Sequence, residues 1–227
     1  MKKLYVIVLT VFATVSVRQA AAQHISYGIE AGGTISHSSW TFDGDEITKS
    51  VGGYTIGLTF GYEILDNTWL QSGVSIITKG GQYNINEPFS SDLPEIRRDR
   101  TEKYRPMYVQ LPVNLAYNIG LARRTSIFVA AGGFVAQGIG GEYNSSLNYI
   151  DAPDWQDRNE NRGAFKNGAL RRFDAGVNVG AGLNHGNLVL RVGYDHSFLN
   201  IAKDRKTLGA DEFRNRSVAI VAGLRFR

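Results

Sequence analysis

From about Ser26 to the end of the chain, apolar residues alternate with small or polar ones in runs of strand length. That period of two marks strands whose two faces meet different surroundings. The clearest run puts Phe173, Ala175, Val177, Val179, Ala181 and Leu183 on one face, and Asp174, Gly176, Asn178, Gly180 and Gly182 on the other. Eight strands can be read this way. The first covers about Ile25 to Ser36, the second carries Tyr54, Ile56, Leu58, Phe60 and Tyr62 outward, and the third runs from Thr68 to about Tyr83. The fourth lies around Val109 to Tyr117 and the fifth from Thr125 to about Gln137; the Phe173 run is the sixth. The seventh alternates from Leu188 to Phe198, and the eighth turns Val218, Ile220, Ala222, Leu224 and Phe226 outward. Two points stay open. The fifth strand is apolar on both faces, with Ile127, Val129 and Ala131 competing against Phe128, Ala130, Gly132 and Phe134. Pro112 cannot donate to a ladder and predicts a bulge or a locally unpaired site.

The connections alternate in length. Asp66-Asn67, the stretch around Gly120 to Arg124, and His185-Gly186-Asn187 read as short turns. Polar loops follow the first strand (with Asp43, Asp45 and Glu46), the third (about Asn84 to Lys103), the fifth (about Gly138 to Ala169) and the seventh. An even strand number, short turns at one end and long loops at the other describe an outer-membrane barrel with both chain ends in the periplasm. The outward positions of the second, fourth, sixth and eighth strands carry no charge, as required where Arg or Lys facing mid-bilayer costs about 2–4 kcal/mol. Inward positions carry Glu63, Asp174, Arg191, Asp195 and Arg225. Tyr54, Tyr62, Tyr117, Phe173, Tyr194, Phe198 and Phe226 fall near strand ends, where girdles at the lipid–water boundaries belong. The expected fold is all-β, an eight-stranded antiparallel up-and-down transmembrane β-barrel. The alternative, a secreted soluble β-protein, would expose an apolar band to water.

At the N-terminus, Lys2 and Lys3 precede an apolar run from Leu4 to about Val17, and Ala20-Ala21-Ala22 supplies small residues before Gln23. This predicts a signal peptide over residues 1–22, cleaved after Ala22, and a single barrel domain over residues 23–227. No peptidoglycan-binding domain is expected after the eighth strand. Lys2, Lys3 and Arg18 leave with the signal and no acid does, so the formal charge falls from +4 to +1. Basicity then gives no reason to expect a nucleic-acid partner. The absence of cysteine excludes thiolate metal sites and a lipoprotein anchor. No nucleotide-binding glycine motif occurs in context and no cofactor is expected.

The segments Tyr108-Val-Gln-Leu-Pro-Val-Asn-Leu-Ala-Tyr117 and Arg172-Phe-Asp-Ala-Gly-Val-Asn-Val-Gly-Ala-Gly-Leu183, followed by Leu188-Val-Leu-Arg-Val-Gly-Tyr194 and Phe198-Leu-Asn-Ile201, resemble the PorT-like family of small outer-membrane β-barrel proteins. The resemblance covers essentially the whole chain after residue 22 and its motifs mark strand positions more than a chemistry. It implies residence in the outer membrane of a double-membraned bacterium, contact with outer-membrane lipid, and insertion by the barrel-assembly machinery. In such proteins a terminal aromatic is part of the assembly signal, a role that falls here on Phe226, although the chain continues to Arg227.

An eight-stranded barrel is just wide enough inside to be filled by side chains. Glu63 with Arg191 and Arg225 is expected to form a hydrogen-bonded plug in the half nearer the short turns, with Asp174 and Asp195 as further members of the interior polar cluster. The competing reading is a narrow porin-like channel. A lipid-modifying hydrolase or acyltransferase is the rival from another class, and needs a serine beside an oriented histidine. Asp195-His196-Ser197 fails because adjacent strand residues face opposite ways, with His196 placed in a girdle beside Tyr194 and Phe198. His37 with Ser38 and Ser39 is the better enzymatic candidate, but the reading adopted is a non-enzymatic structural or interaction protein. Asp157-Arg-Asn-Glu-Asn161 has oxygens at alternate positions, yet Gly163 stands one place too late for a calcium loop. In the same loop Tyr143, Tyr149 and Trp155, with Phe165, are costly to expose idly and are candidates for self-packing or contact with a protein partner.

Overall fold

The computed structural model describes residues 25–42, 45–46, 49–90, 93–150, 158–166, 170–203 and 212–226. The expected signal peptide, Trp155 and Arg227 lie outside them. In chain order the strands are β1 (Ile25–Phe42), β2 (Asp45–Glu46), β3 (Val51–Leu65), β4 (Thr68–Thr78), β5 (Gly81–Ser90), β6 (Leu93–Ala122), β7 (Thr125–Ile150), β8 (Arg158–Gly163), β9 (Phe173–His185), β10 (Leu188–Ser197) and β11 (Glu212–Phe226). Eight of them form an antiparallel ring in the order β1-β3-β4-β6-β7-β9-β10-β11, closed by Tyr27 opposite Phe226 through Thr41 opposite Glu212. The fold is the eight-stranded transmembrane barrel that the alternation predicts.

The wall follows the pleat. Tyr54, Ile56, Leu58, Phe60 and Tyr62 of β3 are exposed on the outside, as are Leu111, Val113, Leu115 and Tyr117 of β6 and Val177 and Val179 of β9. Tyr54 to Tyr62 is close to the roughly 9–11 residues that a tilted strand needs to cross a bilayer. Tyr27 and Phe226 stack at 5.7 Å between ring centres at one edge of this band. At the other edge His196 lies 6.4 Å from Tyr194 and 5.9 Å from Phe198. The fifth ring strand, β7, resolves its ambiguity: Ile127, Val129 and Val135 are exposed to lipid, whereas Phe128 and Phe134 are buried inside. The bulkier aromatics fill the lumen, opposite the interior glycines of β9.

Three sequence expectations change. The stretches around Asn84 to Lys103 and Gly138 to Ala169 are not simple loops. β6 and β7 run on past the apolar band, paired from Arg97 opposite Ile150 to Arg105 opposite Glu142, and β5 and β8 flank them. The result is a four-stranded antiparallel extension, β5-β6-β7-β8, standing on the barrel. Both faces of these segments carry polar residues because no lipid surrounds them, which removes the alternation that betrays a membrane strand. The third predicted strand also does not reach Tyr83 unbroken. It stops at Thr78, and Gly80 adopts φ +138°, where a side chain would meet the Tyr104 carbonyl oxygen at 2.0 Å. Finally, the loop after the first strand begins later than Ser36, since β1 continues to Phe42 and pairs there with β2. Pro112 behaves as expected on one side. The β4–β6 ladder lapses between Ser72 opposite Val113 and Ser75 opposite Gln110, and the Ser72 hydroxyl donates to the Pro112 carbonyl at 2.9 Å.

Candidate functional site: a filled lumen beneath an aromatic plug

Inward positions of the ring strands build three polar layers. Nearest the short turns, Arg225 donates to Asn184 Oδ1 at 3.3 Å and lies 5.6 Å over the Phe128 ring. Asn184 in turn donates to Ser126 Oγ at 3.2 Å and Asn118 Oδ1 at 3.4 Å. In the middle, the Arg191 guanidinium forms an ion pair with the Glu30 carboxylate. A cavity of about 80 Å³ lies here, lined by Glu30, Gln110, Asn114, Asn178, Arg191 and Asp195 among others. Such a space holds a few waters.

The third layer is the most buried. At the end of β4 the Lys79 amide donates to the Pro106 carbonyl at 3.0 Å, and the Thr34 and Ser36 hydroxyls donate to the Thr78 carbonyl at 3.1 and 3.4 Å. These bonds fix the break in the strand and send the Lys79 side chain into the lumen. Its ammonium sits 3.5 Å from Asp195 and 4.0 Å from Asp174, and 3.9 Å over the Phe134 ring centre. Lys79 and Asp174 have no exposed side-chain surface. Asp174 accepts from Ser197 at 2.9 Å and Asn215 at 3.1 Å, while Ser38 donates to Asn215 Oδ1 at 3.0 Å. Asp195 accepts from Gln110 at 2.9 Å. Neutral donors thus spread the charge of two carboxylates that share one ammonium, which is what makes a charge this deep tolerable.

Above this layer the mouth is shut by apolar residues. Tyr83, Tyr104, Tyr108, Phe134, Tyr143, Phe165, Ile201 and Phe213 belong to one buried cluster that runs from the lumen into the extension. Tyr104 and Tyr143 stack at 4.4 Å, and Phe165 meets Tyr108 edge-on at 5.8 Å. Burial pushes the Tyr104 hydroxyl well above the ordinary tyrosine range. The segment that follows β10, residues 198–203, is held at the mouth by bonds from Arg171 N to Ile201 O at 2.7 Å and from Ile201 N to Phe213 O at 2.9 Å. Phe165 packs directly on the Gly138 backbone, where a Cβ would come within 2.2 Å of the ring.

The residues singled out in the sequence are redistributed by this geometry. Arg191 pairs with Glu30 and not with Glu63. Glu63 instead accepts from the Asn67 amide at 3.2 Å and fastens the β3–β4 turn, where Asn67 has φ +63°. Asp174 and Asp195 do come together, around a lysine the sequence reading overlooked. The alternation that sends Gln71, Gly73 and Ser75 inward also sends Ile77 and Lys79 inward, so the signal was present. Glu30 shares the inward parity of β1 with Ser26 and Thr34, both buried, but its partner follows only from closing the ring. Tyr143 is a core residue of the plug, 3% exposed and covered by Arg162 at 4.0 Å, and it offers no surface to a partner. Tyr149 is half-buried on β7 opposite Arg98. Phe226 closes the girdle against Tyr27. Ser38 points into the lumen while His37 points out, so these two cannot act as a nucleophile and its base, whereas Ser39, two residues on, shares the face of His37. Arg158 to Asn161 form part of β8, and among the described residues no cluster of three or more acidic or histidine side chains is set to hold a metal ion.

Solved structures similar to this chain are small bacterial barrels. Ail, the attachment invasion locus protein of Yersinia pestis, determined in complex with the heparin analogue sucrose octasulfate, is 18% identical, over 89% of this chain and 99% of that one, with a TM-score of 0.36. Neisserial surface protein A is 13% identical over 88% and 97% of the two chains, at a TM-score of 0.41. The outer membrane protein OprG of Pseudomonas aeruginosa is 13% identical over 89% and 96%, at 0.39. None of the curated proteins matches. The family model described as the outer membrane protein beta-barrel domain matches residues 19–203, most of the sequence. With its ring of eight strands, its lipid-facing apolar band and its filled polar lumen, this chain belongs to the outer membrane protein β-barrel domain family.

Proposed function

We propose that this outer-membrane protein is a closed barrel that works as a structural or interaction protein through its extension, and neither conducts solutes nor catalyses a reaction. One observation carries the reading: the Lys79–Asp174–Asp195 layer, in which Lys79 and Asp174 have no exposed side-chain surface, lies under an apolar plug continuous with the extension. A conduction path would have to hydrate that layer and part the plug. An enzyme would need a nucleophile, a base and an orienting acid on one face; Ser38 lies on the face opposite His37, and only Ser39 shares the face of His37. Within the family we place the chain with the PorT-like proteins on the strand segments that resemble them. The short turns then face the periplasm and the extension faces outward, residues 1–22 are removed as a signal peptide, Phe226 serves the barrel-assembly machinery, and the external surface, including Tyr149 and Trp155, meets a protein partner.

Planar-bilayer recording of the purified protein is the test. Only rare, small currents are expected; large and stable single-channel currents would refute the closed barrel. N-terminal sequencing of the membrane fraction is expected to begin at Gln23, and lipid A hydrolysis or acyl transfer lost in His37→Ala would restore the enzyme.

A further inference from the structure

On the outer wall, where the apolar band gives way to polar residues, Arg216 of β11 stands directly opposite His37 of β1 and His196 of β10. All three point outward, because their neighbours Ser36, Ser38, Ser197 and Ser217 are buried inside. Directly opposed positions in antiparallel strands bring side chains within about 5 Å at the Cβ atoms, so the three form one row. Below it lie the exposed Ile35, Tyr194 and Val218; above it, on the same face of β11, is Arg214.

Arg216 lacks the compensation that other arginines have. Arg105 is paired with Glu142, and Arg162 with Glu160 at 2.9 Å. Among the described residues Arg216 has no hydrogen bond or ion pair, and its Nε is shielded from solvent without a partner. His196 has Nδ1 3.4 Å from the Tyr194 hydroxyl, which leaves Nε2 for a ligand. A planar guanidinium fork with an imidazole beside it suits a multi-oxygen anion. At this depth in a membrane that anion is a lipid headgroup.

We propose that Arg216, flanked by His37 and His196, binds the phosphate of a phosphorylated lipid headgroup in the leaflet on the extension side. This rests on the reading that the extension faces outward, which makes the ligand a phosphorylated glycolipid of the outer leaflet. The guanidinium holds two phosphate oxygens and the histidine contacts a third, while Tyr194 and Phe198 lie against the acyl chains.

The experiment is native mass spectrometry of the purified full chain in micelles, titrated with bisphosphorylated lipid A, with dephosphorylated lipid A and with inorganic phosphate. Retention of the phosphorylated lipid at least tenfold above the dephosphorylated one is expected, with a drop of about tenfold in Arg216→Gln and no change in Arg105→Gln. A heat-dependent shift in gel mobility verifies that each variant is folded, and His196→Gln, expected to bind several-fold more weakly, provides a second variant. Equal retention of the two lipids, or a folded Arg216→Gln that binds normally, overturns the site. Competition by inorganic phosphate at concentrations equal to the lipid shows a free-phosphate site and overturns the headgroup assignment. Labelling of Lys166→Cys by a membrane-impermeant maleimide on intact cells separates the topology: absence of labelling alongside Arg216-dependent binding overturns the outer-leaflet assignment alone.

Discussion

Replacing Lys79 with methionine tests the filled lumen most directly, because it keeps the length of the side chain and its contact with Phe134 while removing one buried positive charge. Two carboxylates at 3.5 and 4.0 Å then lose their shared cation. At these separations each attraction is about 4 kcal/mol for an effective dielectric near 20. The desolvation of Lys79 that the folded state must offset disappears with it, so the sum overstates the net effect. Breaking a buried pair by removing one partner typically costs about 3–5 kcal/mol, and that is the expected loss for Lys79→Met. Asp174 retains Ser197 and Asn215 as donors, and Asp195 retains Gln110, which holds the effect within that range. In Lys79→Met/Asp195→Asn one of the two stranded charges is gone, and most of the stability should return. Urea unfolding in liposomes, followed by tryptophan fluorescence, reads the difference; Trp69, buried at the opposite end of the lumen, reports loss of the whole barrel. A Lys79→Met variant within about 1 kcal/mol of the parent, with the double variant no better than the single, would show that the cluster is hydrated and refute the reasoning.

Arg191→Ala strands Glu30 beside the cavity, and because both side chains are partly exposed the expected loss is smaller, about 1–3 kcal/mol; Glu30→Ala/Arg191→Ala should recover part of it in the same unfolding assay. Trypsin added to intact cells should cut slowly at Arg97, Arg98 and Arg100, since β6 is paired there on both edges, and not at all at Arg123 or Arg124 in a short turn; rapid cutting at Arg124 before any other site would invert the topology. Gly138→Val drives a side chain into Phe165 and should raise leak conductance while leaving the barrel inserted; a silent, fully stable variant would show that the plug rearranges freely. Burial raises the Tyr104 hydroxyl above the unfolded value near 10, so the folded state binds more protons than the unfolded one above that pH, and stability of the extension should fall as pH rises past 10. Tyr104→Phe should flatten that decline, as measured by ultraviolet tyrosinate absorbance alongside proteolysis of the extension.

What could be read from sequence was what the membrane imposes. A lipid surround forces each strand to be apolar on one face, so the wall, the strand number and the inside–outside assignment of Asp174, Arg191 and Asp195 were legible residue by residue. Once β6 and β7 leave the bilayer that constraint ends, and the strands of the extension look like polar loops although they pair continuously. The lumen was half legible. Parity fixes which residues point inward, but partnership depends on stagger around the ring: Glu63 and Arg191 share the interior, yet β1 brings Glu30 to Arg191 first. Lys79 continues the inward parity of β4 but stands one residue past its end, at the break beside Gly80, where a lysine reads as the start of a polar loop. Tyr143 was judged by the cost of exposing an aromatic, a correct argument that leaves open whether a partner or the protein itself covers the ring; here it is Tyr104 and Arg162.

The extension and the lumen are one structural unit, and this bears on how a partner would be sensed. Tyr108 and Phe134 line the space above Lys79, and the same apolar cluster continues without interruption to Tyr104, Tyr143 and Phe213. Parting the external strands therefore exposes apolar surface and also admits water to a charge layer arranged for its absence. Among the described residues Lys79 Nζ and Asp174 Oδ1 lack hydrogen-bond partners and would gain from such hydration, but the plug loses the burial of several large side chains, about 1.5–3 kcal/mol for each. The balance favours the closed state and makes the extension stiffer than a loop of its length. A partner that binds it meets a preformed surface and does not have to order a flexible segment, which keeps the entropic cost of association low. Rigidity of that kind suits docking and assembly, and it argues against a lid that opens and closes over a pore.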